Sequence, residues 1–287
     1  MMMRAWISKG LVGTLLLGMA AMAVAAPKQV REQTEASMLL TGMIEIKADG
    51  SVRGYSIDDE GKVPDYVLAN IASMVPGWQF EPLLVDGEAV AERVKMSLRM
   101  AAEPLEGGKL AIYIASAGFG QKSGARPTDS VSVREMNPPV FPEEVARLGG
   151  KGIVYLVLKI GRQGTVEDVA VEQVNLTAYA SETRMRRIRL RLAEAALKAA
   201  REWTFNAPST GELAGDEFWL VRVPVDFAYV GDQQVAYGEW KAYVPGQRVS
   251  VPWLHGGEGE LGSDALAGGE LHMVGAGPRL LTPLQDG

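Results

Sequence analysis

The chain has 287 residues, 47% hydrophobic and 22% charged, enough apolar material for one or two cores and too much for wholesale disorder. Its net charge of -6 argues against a dedicated nucleic-acid binder. It has no cysteine, which excludes disulfides, thiolate metal sites and cysteine nucleophiles.

Residues 1–26 read as a signal peptide. Arg4 and Lys9 precede an apolar run, and Ala23-Val24-Ala25 ends it with the small residues a peptidase needs, Pro27 lying just beyond. The alternative is an uncleaved anchor helix, because the run is near the lower length limit for a bilayer span. No other stretch is apolar enough to span, so export into a soluble compartment is expected.

Residues 39–57 alternate on both sides of Asp49-Gly50, a hairpin signal. Pro64 then opens a helix whose apolar face is Val67, Leu68, Ile71, Met74 and Val75, and Pro76-Gly77 stops it. Residues 89–100 return to alternation through Val90, Val94, Met96, Leu98 and Met100. The order is strand, strand, helix, strand. A module over 38–102 is followed by an extra strand ("LAIYIAS") and a linker over 103–133.

The order recurs over 134–230. Pro142 and Glu143-Glu144 start a short helix that Gly149-Gly150 ends. "GKGIVYLVLKI" is the continuous apolar run of a central strand, "TVEDVAVEQVN" alternates, and "RIRLRLAEAALKAAREW" is a helix buried along Leu192, Ala195, Ala196, Ala199 and Trp203. "EFWLVRVPVDFAYV" is the last strand. The tail, 231–287, is Gly-rich; "EWKAYVPGQRVSVPWL" could form a hairpin or wrap a surface, and the rest reads as loosely ordered.

Both helices exit through the same phrase, Trp78-Gln79-Phe80 and Trp203-Thr204-Phe205, which predicts an internal duplication. Each Trp reads as a core plug, the alternative being a ligand-stacking platform.

Residues 137–228 resemble the TonB C-terminal domain family. The resemblance rests on "PPVFPEEVARLGGKGIVYLVLKIGRQGTVEDVAVEQV", "LAEAALKAAREWTFNAP" and "VRVPVDF"; the first module resembles a divergent, shortened copy. It implies an α+β fold: two modules, each a three-stranded antiparallel sheet with a packed helix. It also implies periplasmic work, with members binding short segments of outer-membrane transporters and passing on energy from an inner-membrane motor. This apolar N-terminal run lacks the His of energy-transducing members, and no long Pro-rich spacer follows it.

No catalytic set is legible. His255 and His272 both sit in the tail, Ser263 lacks a nucleophile-elbow frame, and neither acidic run (Asp58-Asp59-Glu60, Glu143-Glu144) suggests paired catalysis. A non-enzymatic protein without cofactor or metal is expected. Arg184, Arg186, Arg187, Arg189 and Arg191 crowd eight residues where cations oppose the helix dipole. They read either as a solvated helix start or as a contact for anionic lipid, acidic cell-wall polymer or an acidic protein segment.

Pro224 cannot donate to a ladder, which puts the last strand at a sheet edge. The expected peptide-binding edge is Glu217, Phe218, Trp219, Leu220, Val221, Arg222 and Val223. The alternatives are that Pro224 merely protects the edge, or that the tail from Tyr237 covers it. The functional expectation is a periplasmic protein that pairs with segments of envelope proteins, outer-membrane TonB-dependent transporters among them. The alternatives are an energy transducer anchored in the inner membrane and facing the periplasm, or an envelope hydrolase. Nucleic acid is not an expected partner.

Overall fold

The computed structural model describes residues 35–85, 87–105, 109–122, 126–232, 235–254, 265–266, 271–275 and 277–284. The expected signal peptide and His255 lie outside them. The described chain is α+β, dominated by antiparallel sheets.

In the first half, β1 (Glu35–Ile46) and β2 (Val52–Ile57) form the hairpin expected around Asp49-Gly50. Helix α1 (Asp65–Met74) follows, then a small hairpin of β3 (Leu83–Val85) and β4 (Glu88–Val90). The long strands β5 (Glu92–Leu105) and β6 (Lys109–Lys122) complete the half. In space β1 lies beside β5 and β5 beside β6. The other edge of β1 is shared by β2 and by a tail strand, β12 (Lys241–Tyr243). The sheet therefore has five strands rather than three. "LAIYIAS" belongs to it as part of β6, and the tail supplies the fifth strand.

The second half opens with β7 (Ser132–Glu135) and helix α2 (Glu143–Arg147). Strands β8 (Gly152–Gly161) and β9 (Val166–Leu176) lead to helix α3 (Glu182–Ala200), then β10 (Thr204–Asn206), which pairs with β7. The last long strand is β11 (Phe218–Phe227). Spatial order is β11-β8-β9, with β8 central as its unbroken apolar run requires, and a tail strand, β13 (His272–Met273), adds a fourth member beside β11.

Each half has its own core on the helix side of its sheet. Met38, Leu40, Leu98 and Met100 meet Val67 and Ile71 in the first; Leu156, Leu158, Val221 and Val223 meet Ile188, Leu192 and Ala196 in the second. Trp78 and Trp203 are each only 3% exposed, one in each core, so both are core plugs. Trp203 also donates its indole N–H to the Asn137 carbonyl (2.8 Å), while Trp78 packs edge-on against Phe80 and Phe119.

The exits repeat in atomic detail. Phe80 N–H donates to the Gly50 carbonyl and Phe205 N–H to the Gly164 carbonyl, both at 2.8 Å. Gly50 and Gly164 have φ of 81° and 75°, and a Cβ on either would collide with the carbonyl oxygen of the Phe it receives. Each hairpin tip is thus bonded to the exit of its own helix.

The helix-free faces carry polar groups. By alternation Arg99 lies opposite Leu98 and Met100, and there, buried, it donates to Ser37 Oγ (2.9 Å) and to the Tyr155 hydroxyl of the second half (3.3 Å). Its guanidinium also stands over the Tyr243 ring at 5.5 Å. In the second sheet, Glu172 is the extra residue where the β8–β9 register shifts between Tyr155 and Leu156. Its carboxylate accepts from Arg222 Nε (2.9 Å) on β11 and from Arg248 Nη2 (2.8 Å) in the tail.

Two outcomes follow from this packing. Trp203→Ala and Trp78→Ala should each cost roughly 3–5 kcal/mol, read from denaturant midpoints, as expected for a fully buried indole; a near-unchanged midpoint would mean that the ring fills no core. Glu172→Gln should also cost roughly 3–5 kcal/mol, because the buried Arg222 and its neighbour Arg248 lose their anion. A double replacement of Glu172 and Arg222 by methionine should recover most of that loss in the same measurement.

Candidate peptide-binding edge

The candidate site lies on the outer edge of β11, away from β8. The β11–β8 register is unbroken from Phe218 to Phe227, so backbone groups alternate regularly between the two sides. Val274 N–H donates to the Leu220 carbonyl at 2.8 Å, which shows that Leu220 faces outward. Phe218, Arg222, Pro224 and Asp226 therefore face outward too. Pro224, lacking an N–H, offers only a carbonyl on that side.

Within the expected edge, side chains and backbone divide the work. Trp219, Val221 and Val223 point into the second core, and Arg222 is tied to Glu172 on the other face. Glu217 and Phe218 are exposed and Leu220 is half-buried. A strand arriving there would be held mainly by main-chain bonds.

The tail already uses part of the edge. Strand β13 pairs antiparallel with Val221 and Arg222, and the Val274 bond to Leu220 extends it by one step. The described ladder stops there, short of Phe218. Beside that end lies a groove of about 380 Å³, lined by Leu213, Asp216, Phe218, Trp219, Met273 and Val274 among others. One wall is anchored: Trp219 donates its indole N–H to the Leu213 carbonyl (2.9 Å). Upstream, Thr210 donates to Asp129 (2.6 Å), and this bond, with Arg126 beside it, holds the Asp129 carboxyl below its ordinary range. Phe218 is covered on its other side by Lys159, whose ammonium stands 4.4 Å from the ring centre.

The opposite edge of the sheet, on β9, carries the tail along Glu172 to Leu176. Leu176 and Val244 exchange backbone bonds (2.8 and 3.0 Å), and Val249 N–H reaches the Glu172 carbonyl (2.8 Å). Arg189 seals this strip by donating to the carbonyls of Val174, Val244 and Pro245 at 3.0–3.2 Å.

That places one member of the arginine cluster indoors. Arg189 is half-buried, and burial pushes its guanidinium below its usual value. Arg191 is bonded to Glu144 (2.9 Å) and Glu194 (2.8 Å), while Arg187 and Arg186 lie 3.7 and 3.8 Å from Glu144 and Glu182. Arg184, Arg186, Arg187 and Arg191 are exposed. The structure thus brings four of the five to the surface of α3, three of these with acidic neighbours of their own. Leu213, Met273 and Val274 were not foreseen as site residues; no local pattern in the sequence marks them.

Among the described residues, no group of three or more His, Cys, Asp or Glu could hold a metal ion, and no helix is long and apolar enough to cross a membrane.

No family model and no solved structure matches the chain. It is similar to protein TonB of Xanthomonas campestris pv. campestris, in strain B100 and in strain ATCC 33913. Identity in each case is 37% over 99 residues, which is 34% of this chain. The match spans 38% of the relatives' length, well under half. The name is not that of an enzyme, in keeping with the expectation of a non-enzymatic protein. The match supports placing this part of the chain in the TonB C-terminal domain family.

Proposed function

We propose that the chain is an exported, non-enzymatic TonB-like protein of the periplasm that binds extended segments of envelope proteins by pairing them to the outer edge of β11. Outer-membrane transporters are the partners this reading favours. The observation that carries it is the state of that edge: backbone groups at Phe218 face outward beyond the tail ladder of the described residues, next to an open groove. The opposite edge of the same sheet carries the tail along Glu172 to Leu176. Energy transduction is not part of the proposal, because the match covers little more than a third of the relatives.

The first half is, in the same proposal, a divergent copy of the second. Support comes from the matched bonds of Phe80 to Gly50 and Phe205 to Gly164, and from the strand, strand, helix, strand order in both. A role of Arg184, Arg186, Arg187 and Arg191 at an anionic surface is retained as a secondary contact, with Arg189 serving the tail instead.

A photo-crosslinking residue in place of Phe218 should give adducts with outer-membrane transporters in intact cells. The same residue in place of Leu190, 59% exposed on α3, should give none. Equal labelling from both positions, or none from Phe218, would sink the edge reading. Mass analysis of the exported protein should find a start near Ala26 or Pro27; an intact Met1 would instead support the anchored alternative.

A further inference from the structure

The helices that cover the two sheets differ in a way that packing does not explain. Helix α1 carries no Lys or Arg, and its exposed residues are Asp65, Ala69, Ala72 and Ser73. Helix α3, which holds the same place in the second half, carries six cations against two acids, in a chain whose net charge is -6. Three of the six are accounted for. Arg189 binds the tail carbonyls, Arg191 is held by Glu144 (2.9 Å) and Glu194 (2.8 Å), and Lys198 lies in the last turn, where a cation suits the helix dipole. Arg184, Arg186 and Arg187 remain. Arg184 stands in the first turn, where a cation opposes the dipole, and the described residues give it no ion-pair partner. Arg186 and Arg187 lie 3.8 and 3.7 Å from Glu182 and Glu144, and both side chains are exposed, so these pairs hold them weakly. Leu190 follows one turn later and is 59% exposed. It stands two residues from the buried Ile188 and two from the buried Leu192, so it points almost directly away from the core. The first half meets the second sheet on its helix-free face, through Arg99 and Tyr155, and leaves this crest outward.

We propose that Arg184, Arg186 and Arg187, together with Leu190, dock α3 on the headgroups of an anionic phospholipid layer. The proposal rests on the anionic-surface reading above; it names the partner and narrows the contact to one end of α3. The chemistry is guanidinium to phosphodiester, a charge-assisted pairing that arginine makes with two donors at once. The Leu190 side chain enters the boundary between headgroups and acyl chains. A lipid plane fits this surface better than an acidic protein segment does. The crest of a helix is convex and offers an incoming chain neither a groove nor an unpaired ladder, whereas a plane of headgroups needs neither. The charge of the chain then sets orientation, because an anionic layer attracts this end of α3 and repels the acidic molecule as a whole. Glu144, Glu182 and Glu194 border the patch and limit its net charge, so the contact is peripheral, reversible and weakened by salt. With α3 against the layer, both edges of the second sheet point along the membrane rather than into it, since α3 packs on the face of that sheet.

The chain has no cysteine, so one introduced thiol carries one probe. Bimane on Thr183→Cys, exposed on α3 beside the patch, is compared with bimane on Ala72→Cys, exposed on α1. The full chain is mixed with vesicles of equal parts phosphatidylcholine and phosphatidylglycerol, or of phosphatidylcholine alone, each containing brominated phosphatidylcholine as quencher. Quenching should occur at position 183 and not at 72, and only with the anionic vesicles. A local probe separates this contact from any membrane binding by residues 1–26, which are the same in every variant. Arg184→Gln, Arg186→Gln and Arg187→Gln together should weaken the affinity read from quenching on the order of a hundredfold, the loss expected for three cations at an anionic surface. Leu190→Ser should weaken it about tenfold. Equal quenching at both positions, quenching by phosphatidylcholine alone, or unchanged affinity in the triple variant overturns the lipid contact. Unchanged affinity in Leu190→Ser overturns the anchor. Release by inorganic phosphate beyond that given by sulfate at equal ionic strength would assign the arginines to free phosphate and overturn the proposal. Binding of polyglutamate through the three arginines, without vesicle binding, would give the patch to an acidic protein segment; it defeats this proposal and leaves the anionic-surface reading standing. Failure of both polyglutamate and vesicles defeats that reading too, while crosslinking from position 218 tests the β11 edge independently of either result.

Discussion

One buried carboxylate organises the second half and the tail. Glu172 is 2% exposed, and a carboxylate buried so far calls for charged, hydrogen-bonding partners. The compensation comes from two directions: Arg222 reaches over β8 from β11, and Arg248 comes from the tail. The residue sits where β9 gains an extra position, which aims the carboxylate at both guanidinium groups. A buried ion cluster of this kind adds little net stability compared with an apolar replacement, but leaving any member unpaired is costly. The tail residue that answers Glu172 belongs to the stretch, residues 244–249, that lies along the β9 edge.

The two edges of the second sheet end up in contrasting states. On β9 the tail is held by backbone bonds, by Arg189 and by Arg248. On β11 it is held by a two-residue strand and then turns away at Gly275. Pro224 limits the β11 ladder from the other end by withholding a donor. The tail thus lies on both edges, along Glu172 to Leu176 on β9 and along Leu220 to Arg222 on β11.

Much of the scaffold was legible locally. Asp49-Gly50 marked the first hairpin, Pro64 and Pro76-Gly77 bracketed α1, and the unbroken run of β8 declared a central strand. Pro224 pointed to an edge; it does face away from β8, but β13 pairs with the same strand at Val221 and Arg222, so β11 is not the outermost strand. The Trp-x-Phe repeats were visible because each performs the same local task, closing a core while its Phe bonds to a hairpin glycine. What was not legible is what depends on partners far away in sequence. The tail lacks alternation, since its strands are two or three residues long, and nothing local in "KAY" or "HM" declares which strand they join. The full length of β6 was obscured by the Gly and Ser residues that read as linker. The β3–β4 hairpin could have been found, because Asp86-Gly87 carries the same turn signal as Asp49-Gly50. Arg189 looked like its four neighbours in the cluster, and only the position of the tail carbonyls sets it apart.

The tail also sets the order in which the molecule can be completed. Strand β1 begins the described chain, yet β12 closes its edge from more than two hundred residues away, Glu35 receiving a hydrogen bond from Tyr243. The Trp78 exit likewise waits for the end of the chain, where Gln79 and Glu81 pair with Leu281 and Arg279. Closing such long loops before any contact rewards them makes folding slow. A chain emerging from its N-terminus must then hold the first sheet with an open edge until the last segment arrives, and through that interval the unfinished first half is the part most exposed to aggregation or to a chaperone.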